Sequence, residues 1–172
     1  AGTLWPMFAD ILTGAKISVG PPFFNSATAP LAIPLVVAMP IGAMMPWKRG
    51  DLWAALQRLW WAAAAALLIG LLCLAVAGYP VWPALGMAMA AWLVVGAAAD
   101  LADRIGLFRR PAQAWRRALG LPRAAWGAAI AHGAVGISIA GIAGMGVATD
   151  TLVQLNPGQS TRLAGYEWRM DG

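Results

Sequence analysis

The stretch Leu59–Ala99, LWWAAAAALLIGLLCLAVAGYPVWPALGMAMAAWLVVGAAA, runs for 41 residues without a charged side chain. As one α-helix it would extend about 60 Å, twice the roughly 30 Å thickness of a bilayer's hydrocarbon core, so it must fold back on itself. The fold-back point is written in Gly78-Tyr79-Pro80-Val81-Trp82-Pro83, where a glycine and two prolines end one helix and open the next. Tyr79 and Trp82 suit a water–lipid boundary there. Two further charge-free stretches flank this one, Ile17–Trp47 and Ala124–Thr149. The pattern predicts an all-α polytopic membrane protein with about four transmembrane helices, at residues 26–47, 55–77, 83–99 and 124–148.

Composition supports the same reading. Hydrophobic residues make up 60% of the 172 and charged residues 11%, well under the roughly 25% charged of an average soluble domain. A chain this short cannot hide that much apolar surface in a globule, so lipid must solvate much of it. The single cysteine, Cys73, excludes an internal disulfide and a cysteine-built zinc or iron–sulfur cluster from this chain alone. In an apolar helix it reads as an inert small hydrophobe.

Charge placement sets the orientation. Lys48, Arg49 and Arg58 lie between the first two spans, and Arg104, Arg109, Arg110, Arg116, Arg117 and Arg123 between the last two. Nine of the twelve basic residues thus fall on one side, with only Lys16, Arg162 and Arg169 opposite. The positive-inside rule makes the nine-residue side cytoplasmic and puts both ends of the chain outside. The segment 100–123 becomes a cytoplasmic loop in which Trp115 and Leu119 share a helical face. It reads either as a plain topology signal or as an interfacial helix resting on anionic headgroups of the lipid bilayer. Nucleic acid is not an expected partner, because no binding module accompanies the arginines.

Residues 1–25 read as an external segment, with turn chemistry around a short apolar piece and Phe23 and Phe24 as interface anchors. Residues 149–172 read as strand, turn, strand: 151–155, the turn Asn156-Pro157-Gly158-Gln159, then 160–170. They are expected to open an external β-rich domain that is cut off. With no Met at the start and no signal peptide, the chain is expected to be an internal fragment of a larger membrane protein.

His132 is the only histidine, and it stands within the fourth span. A polar ring at that depth is costly without a partner and is a functional candidate by default. Ala128, His132, Gly136, Ala140 and Gly144 recur every fourth residue as a stripe of small side chains. Three readings fit. The imidazole hydrogen-bonds a closely packed helix; it ligates the iron of a haem admitted by the small neighbours; or it relays protons. Met87 and Met89, or Met44 and Met45, offer thioethers, but their positions read as packing. Asp100 and Asp103 flank the cytoplasmic end of the third span within reach of Arg104 and Arg109, and read as a solvated boundary. No Ser/His/Asp set, phosphate loop or carboxylate dyad is present, so no catalytic acid–base residue is expected. Trp47, Trp82 and Trp126 fall at predicted boundaries, as an aromatic belt requires.

Four pieces, in order, carry a resemblance. They are Gly2-Thr3-Leu4-Trp5-Pro6, then Ile17-Ser18-Val19-Gly20-Pro21-Pro22-Phe23-Phe24-Asn25, then Trp126-Gly127 with Ala131-His132, and Pro157-Gly158 with Gly165-Tyr166. Together they resemble the cytochrome c maturation protein F family (CcmF/NrfE) of cytochrome c haem lyases. The resemblance implies a subunit of the bacterial inner-membrane machinery that attaches haem to apocytochrome c on the outer, periplasmic face. It implies that His132 falls where the family has an axial ligand of a resident haem b, which helps reduce the incoming haem iron. It also implies partners: apocytochrome c, a haem chaperone and apocytochrome-handling maturation subunits. The family's Trp-rich haem-handling segment and its other histidines have no counterpart here. The chain is therefore not expected to perform the ligation alone. The alternatives to this reading are a transporter segment with His132 in a proton pathway, and a structural membrane scaffold.

Overall fold

A computed structural model describes residues 4–14, 21–45, 51–148, 153–163 and 165–171. Seven helices and a two-stranded hairpin appear among them: α1 (Trp5–Thr13), α2 (Pro21–Met44), α3 (Leu52–Arg58), α4 (Trp60–Ala75), α5 (Val81–Ile105), α6 (Pro111–Gly120), α7 (Arg123–Met145), β1 (Ser160–Leu163) and β2 (Tyr166–Arg169). Lys16, Trp47, Lys48, Arg49 and the start of the predicted strand at 151–152 lie outside the described residues, as do the side chains of Phe23 and Phe24.

The long uncharged run breaks where its prolines require. α4 ends before Gly78, which takes a positive φ of 65°, and Pro80 caps α5 in extended conformation. α5 then runs to Ile105, six residues beyond the predicted end of that span, because Asp100 and Arg104 pair one turn apart along the helix and Asp103 pairs with Arg58 of α3 instead of stopping it. Gly106, left-handed at φ 66°, closes it, with the Leu107 amide donating to the Ala102 carbonyl as in a Schellman cap.

Among the described residues two helices, α5 and α7, are long and apolar enough to cross a membrane. The predicted span 55–77 is a bent pair: α3 and α4 meet at 54° around Leu59 and make a third crossing if taken together. In the first predicted span, the apolar stretch Thr28–Met44 is shorter than a crossing and carries Pro30, Pro34 and Pro40 inside the helix.

α5 is the central helix, packed by α2, α4 and α7. Its partners approach through missing side chains. A Cβ on Gly70 of α4 would sit 3.2 Å from Ala88; one on Gly96 would meet Pro40 of α2 at 2.7 Å; one on Gly86 would meet Ala143 of α7 at 2.8 Å. Large apolar residues point the other way: Leu67, Leu68 and Leu71 on α4, and Ile130, Ile137 and Ile142 on α7, are exposed. Small side chains inside and bulky ones outside reverse the order of a soluble core and suit a protein solvated by lipid.

At one end of the bundle the core is Met44, Ala55, Leu59 and Ala62, with Ile41, Trp92, Val95 and Ala99 against it. Met44 is thus a core residue, as its position predicts. α2 runs parallel to α5 (Pro40 beside Gly96, Ala43 beside Arg104), while α4 and α7 run antiparallel to it. The end of α2, the α3–α4 bend, the end of α5 and the start of α7 therefore share one face. The described basic residues from Arg58 to Arg123 gather there.

The C-terminal segment corrects the strand reading. Residues 153–155 form no strand, and 160–170 is not one strand but a complete antiparallel hairpin pairing Ser160 with Arg169 and Leu163 with Tyr166. Gly165 adopts φ 82°, which permits the reversal inside a stretch rich in strand-forming residues. The Asn156–Gln159 turn forms as expected, closed by a 2.9 Å bond from the Gln159 amide to the Asn156 carbonyl with Gly158 at φ 86°. It packs back onto the hairpin through Gly158 and Met170.

Candidate functional site

α7 starts at Arg123 after Pro122 and continues for 23 residues with no proline and no charge past its first residue. His132 lies about 14 Å along it, near mid-height. Its imidazole is half-buried and makes no hydrogen bond or ion pair within the described residues. Among those residues no group of three His, Cys, Asp or Glu side chains comes together to hold a metal ion, so His132 would be a single protein ligand.

The wall beside it is α5. A Cβ on Gly136 would meet Val94 Cγ2 at 2.8 Å, the Ala90 carbonyl at 3.0 Å and Leu93 Cβ at 3.1 Å, and Leu93 itself is fully buried. With Gly86 opposite Ala143, this pairing puts Ala97 of α5 level with His132. Between the helices at that height runs an apolar groove of about 190 Å³, lined by Val94, Ala97, Ala98 and Leu101 on α5 and by Trp126, Ala129, Ile130 and Gly133 on α7. His132 adjoins the groove through Gly133 without lining it. Gly133 has nothing within 4 Å of where a Cβ would be.

The every-fourth-residue stripe is only partly the packed face. A step of four advances 400° around a helix, so it drifts 40° each time. Gly136 is buried, but Ala128 is exposed and Gly144 has left the contact. The face toward α5 follows steps of three and four instead: Ala125, Ala129, His132, Gly136, Ile139 and Ala143. His132 sits on the flank of this seam, next to open space on the Gly133 side.

The thioether candidates do not converge on His132. Met87 and Met89 lie at the height of the last turns of α7, about 12–15 Å away along the axis. Met44 is packed in the core and Met45 borders a separate cavity at the basic end. Cys73 is a half-buried free thiol on α4.

That basic end holds what sequence reasoning missed. Asp100, read as a solvated boundary, is 7% exposed and accepts from Arg104 Nε at 2.8 Å. Arg104 also donates to the Ala43 carbonyl, one of the unpaired acceptors at the end of α2. Asp103 pairs with Arg58 at 3.1 Å and Arg109 at 3.6 Å. Higher up, Trp92 Nε1 donates to the Val37 carbonyl at 3.2 Å, in the turn that Pro40 disrupts. Helical spacing offered Arg104 as a partner for Asp100; nothing in the sequence pointed to Arg58 or to α2.

The chain is 45% identical over 174 residues to the cytochrome c-type biogenesis protein CycK of Rhizobium meliloti, a match covering 99% of the chain and 26% of that relative. It is 40% identical over 169 residues to the cytochrome c-type biogenesis protein Ccl1 of Rhodobacter capsulatus, covering 96% and 25%. It is 33% identical over 184 residues to the cytochrome c-type biogenesis protein CcmF of Pseudomonas fluorescens, covering 99% and 26%. The chain therefore spans about a quarter of the length of the curated relatives it matches. No family model and no solved structure matches it.

Proposed function

The chain belongs with the cytochrome c-type biogenesis proteins CycK and CcmF, and from that kinship we propose that it is the haem-retaining membrane portion of a cytochrome c haem lyase, with His132 as an axial ligand. The observation that carries this reading is the lone imidazole at mid-height in α7, unpartnered among the described residues and beside an apolar groove. The donor chemistry of His132 fits a b-type haem, and the groove, at about 190 Å³ and not lined by His132, would form only one wall of its site. A neutral imidazole is a suitable iron ligand. The side chains around it are small enough for a flat macrocycle to approach, and the groove offers no competing polar group.

When bound, such a haem supplies a one-electron carrier in the dry interior. His132 would hold the iron, and the Val94–Leu101 wall of α5 would shield one side of it from water. The Gly136 contact fixes the height of the ring by locking α7 to α5. With one histidine in the chain, a second histidine ligand would have to come from outside it. Asp100 is the buried carboxylate of α5, but Arg104 holds it at the cavity facing α2, away from the groove. Asp100 is thus not placed to exchange a proton with His132.

In this reading the chain makes four crossings of the bacterial inner membrane, the first by the whole 24-residue α2 and not by its apolar stretch Thr28–Met44 alone. The basic end lies in the cytoplasm and the hairpin in the periplasm. Apocytochrome c, a haem chaperone and apocytochrome-handling subunits are the partners of the whole protein. The test is absorbance spectroscopy of the purified full-length protein against its His132→Ala variant. The low-spin haem b bands are expected to vanish or shift to a high-spin form in the variant, and added imidazole is expected to restore them in part. An unchanged spectrum in a folded variant overturns the assignment.

A further inference from the structure

From Arg104 to Thr149 the chain carries six arginines and no carboxylate. Arg104 is used by Asp100, and Arg109 by Asp103. Arg110, Arg116, Arg117 and Arg123 make no ion pair among the described residues. They surround α6, ten residues that begin with Pro111 and join the basic ends of α5 and α7. One side of α6 is settled against the protein: Ala114 is buried, and the Trp126 indole donates to the Ala118 carbonyl at 3.2 Å. Its neighbouring side is not. Trp115 and Leu119, one turn apart, are 73% and 70% exposed.

We propose that α6 is a binding site for anionic phospholipid, lying in the leaflet surface at the basic end with Trp115 and Leu119 inserted among the acyl chains and the unpaired arginines on headgroup phosphates. Three observations select lipid over a protein partner. α6 is tied at both ends to helices long and apolar enough to cross a membrane, so it stands at the height of the bilayer surface. Its exposed apolar side continues from the side packed on the bundle, as in a helix wedged between protein and lipid. The charge around it is of one sign, which an anionic leaflet neutralises without a matching carboxylate from the chain. Gln113 lies on the opposite side and faces water, while Arg116 flanks the Trp115–Leu119 side at the level of the headgroups. The proposal rests on the membrane placement of α5 and α7 and is independent of haem at His132.

The test uses the full-length protein in nanodiscs of phosphatidylcholine, with or without phosphatidylglycerol, carrying a nitroxide at Leu119→Cys or at Gln113→Cys in an otherwise cysteine-free background. The Leu119→Cys label is expected to be relaxed by oxygen and shielded from a water-soluble nickel chelate, and the Gln113→Cys label the reverse. Phosphatidylglycerol is expected to deepen the first label, and high salt to undo that shift. Arg116→Gln is expected to weaken the preference for phosphatidylglycerol by a factor of about five. A Leu119→Cys label equally open to the nickel chelate in both lipids overturns the proposal. So does one shielded from both reagents, which would mean that protein covers the face, and so does a depth indifferent to phosphatidylglycerol.

Discussion

The two sides of α5 are held by different physics. Toward α7 the contact is steric: Gly86, Gly136 and Ala143 let the backbones approach until a single added methyl would collide. Toward α2 and α3 polar bonds are added to a close approach of Gly96 and Pro40: Arg104 spans Asp100 and the end of α2, Arg58 reaches Asp103, and Trp92 reaches Val37. The steric side leaves a dry groove beside His132, while the polar side neutralises every carboxylate of α5. The haem proposed above would benefit from the first, and the folded basic end from the second. The candidate site therefore lies on the side of α5 without charges.

This contrast can be broken most sharply on the steric side. Gly136→Leu is expected to destabilise the α5–α7 pair by about 3 kcal/mol, because Val94, Leu93 and the Ala90 backbone leave no room. Thermal unfolding in detergent reads it. Gly133→Ala, with open space around it, is expected to leave the midpoint unchanged or raised, and an equal loss from both would refute the steric account.

On the polar side, Asp100→Ala strands a partly buried guanidinium and is expected to cost about 2 kcal/mol by the same assay. Trp92→Phe keeps the ring and drops the bond to Val37, for about 1 kcal/mol. Arg58→Gln removes a pair that is largely solvated, and a double-mutant cycle with Asp103→Asn is expected to give about 0.5 kcal/mol, fading in salt. A polar side whose every member cost as much as Gly136→Leu would erase the distinction.

Legibility followed the same divide. The fold-back at Gly78–Pro83, the helical spans α5 and α7 and the turn at Asn156–Gln159 rest on local chemistry, and each formed where its residues required. His132 was legible as a candidate because it is the only imidazole in an uncharged helix. The four-residue step does not give the packed face of α7, since only a partner reveals how a slowly drifting stripe is used. The hairpin at 160–170 hides in a stretch rich in strand-forming residues, where one glycine, Gly165, marks the reversal.

Residue order alone determined the solvent of this protein, the breaks between its helices and the gathering of arginines at one end, because hydropathy, proline and charge act within a few residues. Tertiary structure decided which glycines are contacts and which are gaps. It also decided that Asp103 answers Arg58, 45 residues away. Such choices depend on which helices meet and at what height, a property of the packed bundle that no local window of sequence contains.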